Sequence, residues 1–140
     1  MMDRFALMVG AVALSASALA AEVGGVKLDD KTSLGGQEVV LNGAGIRTRA
    51  IFKVYVGSLY VPAKVSDLSG VLAKAPRRVQ MNLLRNLSSD QLIEALVDGL
   101  KENNSPQELA AVKAQVDELV AIMKAIGDAK EGNVVTMDFV

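Results

Sequence analysis

The chain has 140 residues, a net charge of −1, no histidine and no cysteine. Its length suits a single domain. The two missing residue types exclude Ser-His-Asp and Cys-His catalysis, disulfides, and zinc sites built from imidazole or thiolate. Acidic and basic residues are mixed along the chain and aromatic residues make up only 4% of it, so we expect no nucleic-acid partner.

Residues 1–20 are predicted to be a cleavable signal peptide. Arg4 precedes an apolar and small-residue stretch that ends in Ala18-Leu19-Ala20, the small-x-small pattern read by signal peptidase. The stretch is shorter than the roughly 20 residues that a membrane-spanning helix needs. The sequence therefore predicts a mature domain over 21–140, a periplasmic or secreted location, and no stable membrane span after cleavage.

The first half of the mature chain predicts strands and turns. Strands are expected over 24–28, 38–41 and 46–61, with a turn over 31–36 that contains Gly35-Gly36. Asn42-Gly43 predicts a two-residue hairpin turn, because both central positions of a type I′ turn need a positive φ. The β-branched and aromatic residues of 46–61 indicate one long strand, or two strands bent near Gly57.

The second half alternates helices and strands. Helices are expected over 66–75, 88–103 and 105–126, and strands over 78–84 and 133–140. Ser88 with Gln91, and Ser105 with Glu108, have the spacing of capping boxes. This order predicts an α+β domain with a mixed or antiparallel sheet and helices packed on one face. Because the last apolar strand stops at Val140, the C-terminal part of the domain is expected to be missing.

Polar candidates for a site lie on the predicted 46–61 strand. Alternation puts five residues on one face of that strand: Arg47, Arg49, Ile51, Lys53 and Tyr55. Two interpretations stay open. In the first, Arg47 and Tyr55 point into a cleft and hold an anion, since guanidinium and phenol groups both donate to a carboxylate. In the second, this is the solvated outer face of a sheet. Tyr60 also has two interpretations: it belongs to the site, or it lies at the edge of the core.

The stretch Leu-Asn-Gly-Ala-Gly-Ile-Arg over 41–47, followed by Phe-Lys-Val-Tyr-Val-Gly-Ser-Leu-Tyr-Val-Pro over 52–62, resembles the chalcone isomerase-like family, and most closely its short exported bacterial members. The resemblance implies an open-faced β-sandwich with a ligand cleft between sheet and helices. Arg47 matches the family arginine, and Tyr55 stands as in the fatty-acid-binding branch, where both residues are thought to hold a carboxylate. The helix tyrosine of the plant enzymes is absent, because no tyrosine follows Tyr60.

The favoured hypothesis is a non-catalytic exported protein that binds a fatty acid or similar small apolar carboxylate through Arg47, Tyr55 and Tyr60. No cofactor and no metal are expected. The first alternative is an intramolecular lyase or isomerase of the chalcone isomerase type, in which Arg47 stabilises an oxyanion and Tyr55 acts as the acid. The second alternative is a scaffold or partner protein without a ligand.

Overall fold

A computed structural model describes residues 21–140, so the predicted signal peptide lies outside the described residues. This part of the chain forms a two-stranded and a five-stranded antiparallel sheet together with helices. The strands are β1 (Ala21–Val23), β2 (Val26–Leu28), β3 (Lys31–Leu34), β4 (Gln37–Arg49), β5 (Phe52–Val61), β6 (Arg77–Leu83) and β7 (Val134–Phe139). The helices are α1 (Leu68–Leu72), α2 (Ser89–Asn103), α3 (Pro106–Ala111) and α4 (Lys113–Ile126). The predicted α+β class is confirmed.

Paired glycines form two of the hairpin turns. Gly24 and Gly25 connect β1 to β2 with φ angles of 57° and 80°, and Gly35 and Gly36 connect β3 to β4 with 57° and 78°. These positive angles are costly for any residue with a Cβ. The turn predicted over 31–36 is confirmed only at Gly35-Gly36, because Lys31–Leu34 form strand β3. The predicted strand over 24–28 begins with the other turn.

The predicted hairpin turn at Asn42-Gly43 is wrong. β4 continues through both residues, and a register shift between Leu41 and Gly43 makes Asn42 a β-bulge. The Asn42 Oδ1 accepts a hydrogen bond of 2.8 Å from the backbone N–H of Val65. Asn42 thus forms a bulge in β4 and anchors the loop after β5. Its local turn preference does not predict this contact with a distant residue.

The chain reverses instead at Ala50 and Ile51. The prediction of one strand over 46–61 is therefore wrong, and so is its alternative of two strands bent near Gly57, because β5 pairs without a register shift there. Arg49 pairs with Phe52 across this two-residue loop, and Ala50 has a φ of 54°. A left-handed conformation costs a non-glycine residue about 1–2 kcal/mol. The long ladder between β4 and β5 holds the turn at residues that have no turn preference.

Helices α2, α3 and α4 form the connection between the neighbouring strands β6 and β7. Leu87 and Ala129 close its base by donating backbone hydrogen bonds to each other's carbonyls, at 2.8 and 2.9 Å. Both predicted capping boxes are present, at Ser88 and at Ser105. The helix predicted over 105–126 is divided at Val112, which ends α3 with a φ of −113° before α4 begins.

The buried core lies mainly under one face of β5. Alternate residues Val56, Ser58 and Tyr60 are buried there, and Leu34 and Val39 pack with Tyr60. The turn at Gly24 approaches the same face, since a Cβ at this glycine would lie 3.3 Å from Val56. Because side chains alternate along a strand, Tyr55 and Gly57 belong to the opposite face. That opposite face carries the candidate site.

An ion pair joins β6 to β7 at one edge of the sheet. Nε of Arg78 donates to Oδ1 of Asp138 at 2.7 Å, and Nη2 of Arg78 donates to Oδ2 at 2.8 Å. The hydrogen bond from Arg78 lowers the pKa of Asp138 below its ordinary value. This bidentate contact adds to the six residue pairs that join β7 to β6.

Candidate functional site

Arg47 and Tyr55 lie directly opposite each other on β4 and β5. Directly opposed residues of an antiparallel pair share a face, with Cβ atoms roughly 4.5–5.5 Å apart. Alternation predicts both residues on the same face of a single strand over 46–61. In the structure they meet across the hairpin, and a second register shift next to Arg47 adjusts the pairing.

The register shift changes which residues accompany this pair. Phe52 lies opposite Arg49, whereas Lys53 pairs with Thr48 and Ile51 sits in the turn. The predicted placement of Ile51 and Lys53 on the Arg47 face is therefore wrong. An aromatic ring takes the place that alternation assigned to a lysine.

Arg47 is exposed, and Tyr55 is half-buried. Among residues 21–140, no carboxylate forms an ion pair with Arg47, because the ion pairs there join Lys31 to Glu38, Arg78 to Asp138 and Lys113 to Asp117. A guanidinium offers five N–H donors. Those of Arg47 face solvent and remain available to an anion.

A patch without side chains lies beside the pair; we call Gly43, Gly45 and Gly57 the glycine floor. Gly45 lies two residues before Arg47 on β4 and opposite Gly57 on β5, so both share the Arg47 face. A Cβ at Gly43 or at Gly45 would meet no atom within 4 Å. The space above these two glycines is open, and glycine inside a strand often marks a place where a ligand approaches the backbone.

The Tyr55 ring borders this floor. A Cβ at Gly57 would lie 3.4 Å from the Tyr55 ring, so the ring extends along β5 over that glycine. On the other side, Gly57 pairs with Met81 and Tyr55 pairs with the buried Leu83. The arrangement offers a donor pair at one end and apolar side chains along one edge of the floor.

Tyr60 lies on the other face of β5, in the core. It is 1% exposed, and its hydroxyl donates a 2.7 Å hydrogen bond to the carbonyl of Asp29. Burial raises the pKa of Tyr60, and the negative charges of Asp29 and Asp30 raise it further. The hydroxyl is thus engaged within the protein and stays protonated, on the face opposite to Arg47.

Phe52 and Arg85 form a contact that the sequence did not reveal. The Arg85 guanidinium carbon lies 4.2 Å from the centroid of the Phe52 ring, within the range of a cation–π interaction. The neighbouring Asn86 ties this segment to the loop before β7, because its Oδ1 accepts a 2.9 Å hydrogen bond from the backbone N–H of Glu131.

Two shallow, open hollows among the described residues lie away from Arg47 and Tyr55. One is an apolar hollow between α2 and the α3–α4 segment, and Lys101 and Lys113 are among its lining residues. The other lies where the 74–76 loop meets the start of β6 and the end of β7, and there Arg77 lies over the Phe139 ring at 4.7 Å. Each combines cations with apolar surface, so each is a rival site for an apolar anion.

None of the helices among residues 21–140 is long and apolar enough to cross a membrane.

The fold and the Arg47 face define an α+β protein whose antiparallel sheet presents an arginine–tyrosine pair beside a glycine floor. A family model described as chalcone isomerase-like matches residues 20–140, and the chain belongs to that family. A comparison with curated proteins finds no match.

Proposed function

We propose that this protein is a non-catalytic binder of a fatty acid or similar apolar carboxylate, held on the Arg47 face of the sheet. The carboxylate accepts hydrogen bonds from the Arg47 guanidinium and the Tyr55 hydroxyl. The apolar chain lies on the glycine floor. The observation that carries the proposal is that Arg47, which has no ion-pair partner among residues 21–140, shares a face with the open space above Gly43 and Gly45.

The chemistry of the neighbouring groups supports this ligand class. A planar guanidinium matches a carboxylate with two parallel hydrogen bonds, which are stronger than bonds between neutral groups. Met81 lies next to the floor and has a flexible, adaptable side chain that suits contact with an aliphatic chain. Tyr60, the third candidate binding residue, lies on the opposite face, where its hydroxyl donates to the Asp29 carbonyl. Its proposed role is to support β5 from within the core.

Arg47→Ala is expected to weaken binding of dodecanoate to the delipidated protein roughly 10- to 100-fold, measured by isothermal titration calorimetry. The reason is the loss of hydrogen bonds to a charged group, worth about 1.5–3 kcal/mol. Arg47→Lys should lose part of the affinity, because an ammonium keeps the charge without the planar fork. Dodecanol, which lacks the carboxylate, should bind weakly to the wild-type protein and to Arg47→Ala alike.

Matched variants test the two rival hollows. Arg77→Ala removes a cation from the β6–β7 hollow, and Lys101→Ala removes one from the hollow between the helices. Both variants should bind dodecanoate like the wild type. If either one loses affinity while Arg47→Ala keeps it, the ligand binds in that hollow and the proposed site is wrong.

We also propose that the protein is exported. The proposal rests on the sequence of residues 1–20, with its apolar stretch and its Ala18-Leu19-Ala20 end. The intact mass of the protein recovered from the periplasm or the medium should correspond to a chain that begins at Ala21. A mass that includes Met1, or recovery only from the cytoplasm, would contradict export.

A further inference from the structure

The end of the β4–β5 hairpin exposes two large apolar side chains. We call residues 47–53 the hairpin tip. Ile51 is 89% exposed and Phe52 is 51% exposed. Since Arg49 and Phe52 close the two-residue loop, Ile51 stands at the extreme end of the hairpin. Apolar side chains placed at a projecting end gain nothing from folding, and adjacent exposed apolar residues often mark an interaction surface.

Cations surround these apolar residues. Arg47, Arg49 and Lys53 belong to the tip, and Arg85 lies against Phe52. None of the four takes part in the ion pairs found within residues 21–140. The sequence from Val39 to Ser66, which contains the whole tip, has no acidic residue. The tip is therefore a local positive region on a chain whose net charge is −1.

We propose that the hairpin tip docks on an anionic lipid bilayer. Ile51 and Phe52 enter the boundary between headgroups and acyl chains, while Arg49, Lys53 and Arg85 contact the phosphates. Amphipathic elements bind membranes by this combination of buried apolar area and attraction to anionic lipids. Each Lys or Arg near such a surface strengthens binding about fivefold. Other polyanions would use the cations but leave Ile51 in water.

This inference does not depend on the ligand site, because Arg49, Ile51, Phe52, Lys53 and Arg85 carry it. It also relates the proposed binding site to a membrane surface. Arg47 is two residues from Arg49, so the carboxylate-binding end of the site would lie near the membrane surface. A lipid-derived carboxylate could then enter without crossing bulk water.

The test is sedimentation of the purified protein with phosphatidylcholine vesicles prepared with and without phosphatidylglycerol. The wild type should bind the vesicles that contain phosphatidylglycerol and bind pure phosphatidylcholine vesicles at least about tenfold more weakly. Raising the salt concentration should release the protein from the anionic vesicles. Ile51→Asp and Arg49→Glu should each weaken binding about tenfold or more. Ile126→Asp is the matched control, because this isoleucine is 78% exposed at the end of α4.

Ile51 makes a suitable variant since its side chain is almost fully exposed, so Ile51→Asp should fold like the wild type. Its dodecanoate affinity should also stay unchanged, which separates this inference from the ligand proposal. Equal binding to both kinds of vesicle would overturn membrane docking through the tip. So would an equal loss in Ile126→Asp, or vesicle binding by Ile51→Asp that matches the wild type. Heparin binding that persists in Ile51→Asp together with undiminished vesicle binding would identify a general polyanion surface instead.

Discussion

Tyr60→Ala is expected to lower the free energy of unfolding by about 3–5 kcal/mol, the range found when a large buried aromatic residue is truncated. The side chain is 1% exposed and packs with Leu34 and Val39, with Leu41 beside them. These neighbours come from β3 and β4, so truncation opens a cavity where three strands meet. Urea denaturation followed by circular dichroism measures the change.

Tyr60→Phe separates the hydroxyl from the ring. It removes the hydrogen bond to the Asp29 carbonyl and should cost about 0.5–1.5 kcal/mol at neutral pH. Because the folded protein raises the pKa of Tyr60, the hydroxyl contributes stability below the unfolded value of 10.0 and loses it as pH rises through the folded value. The difference between Tyr60→Phe and the wild type should therefore shrink in strong alkali.

The control is Tyr55→Phe, which removes a hydroxyl from the half-buried tyrosine on the opposite face. For this residue we expect a stability change within about 0.5 kcal/mol. If Tyr60→Ala costs no more than Tyr55→Phe, the core is not organised around Tyr60. In that case Tyr60 would be free to serve a ligand site.

Local signals in the sequence predicted the features that depend on neighbouring residues. The capping boxes at Ser88 and Ser105 satisfy backbone donors within the first helical turn, so four adjacent residues specify them. The paired glycines at 35 and 36 specify a turn through their own backbone freedom. Such features need no knowledge of the rest of the fold.

The β4–β5 hairpin shows where local reasoning fails. Asn42-Gly43 has the strongest turn preference in this region, yet the chain passes through it and turns at Ala50-Ile51. The position of the turn depends on thirteen-residue β4 pairing with β5 and on Asn42 reaching Val65. These are contacts between distant residues, and a residue in a turn can be held at a positive φ by the strands that flank it.

The candidate site was predictable only in part. Arg47 and Tyr55 were expected on one face, but the two register shifts that set their true neighbours could not be read from alternation. A signal for the glycine floor was present, since Gly43 and Gly45 are two residues apart and would share a face of any strand. The turn predicted at Asn42-Gly43 conflicts with that signal, because it places Gly43 outside a strand.

Gly45→Val is expected to weaken dodecanoate binding about 10- to 100-fold without harming the fold. The new side chain would stand on the glycine floor between Arg47 and the open space above Gly43, where a ligand chain must lie. Forcing extra atoms into an occupied space costs about 1–3 kcal/mol, which corresponds to that loss of affinity. A Cβ at Gly45 meets nothing within 4 Å, so folding should tolerate the valine.

Stability should stay equal or rise by up to about 1 kcal/mol, because valine suits a strand and glycine weakens one. The matched control is Ala44→Val. Ala44 directly precedes Gly45, so its side chain lies on the opposite face of β4. Calorimetric titration with dodecanoate and urea denaturation should be run on both variants. Loss of binding in Ala44→Val but not in Gly45→Val would move the ligand to the opposite face. If both variants bind dodecanoate normally while Arg47→Ala does not, Arg47 binds the carboxylate but the aliphatic chain does not lie on the glycine floor.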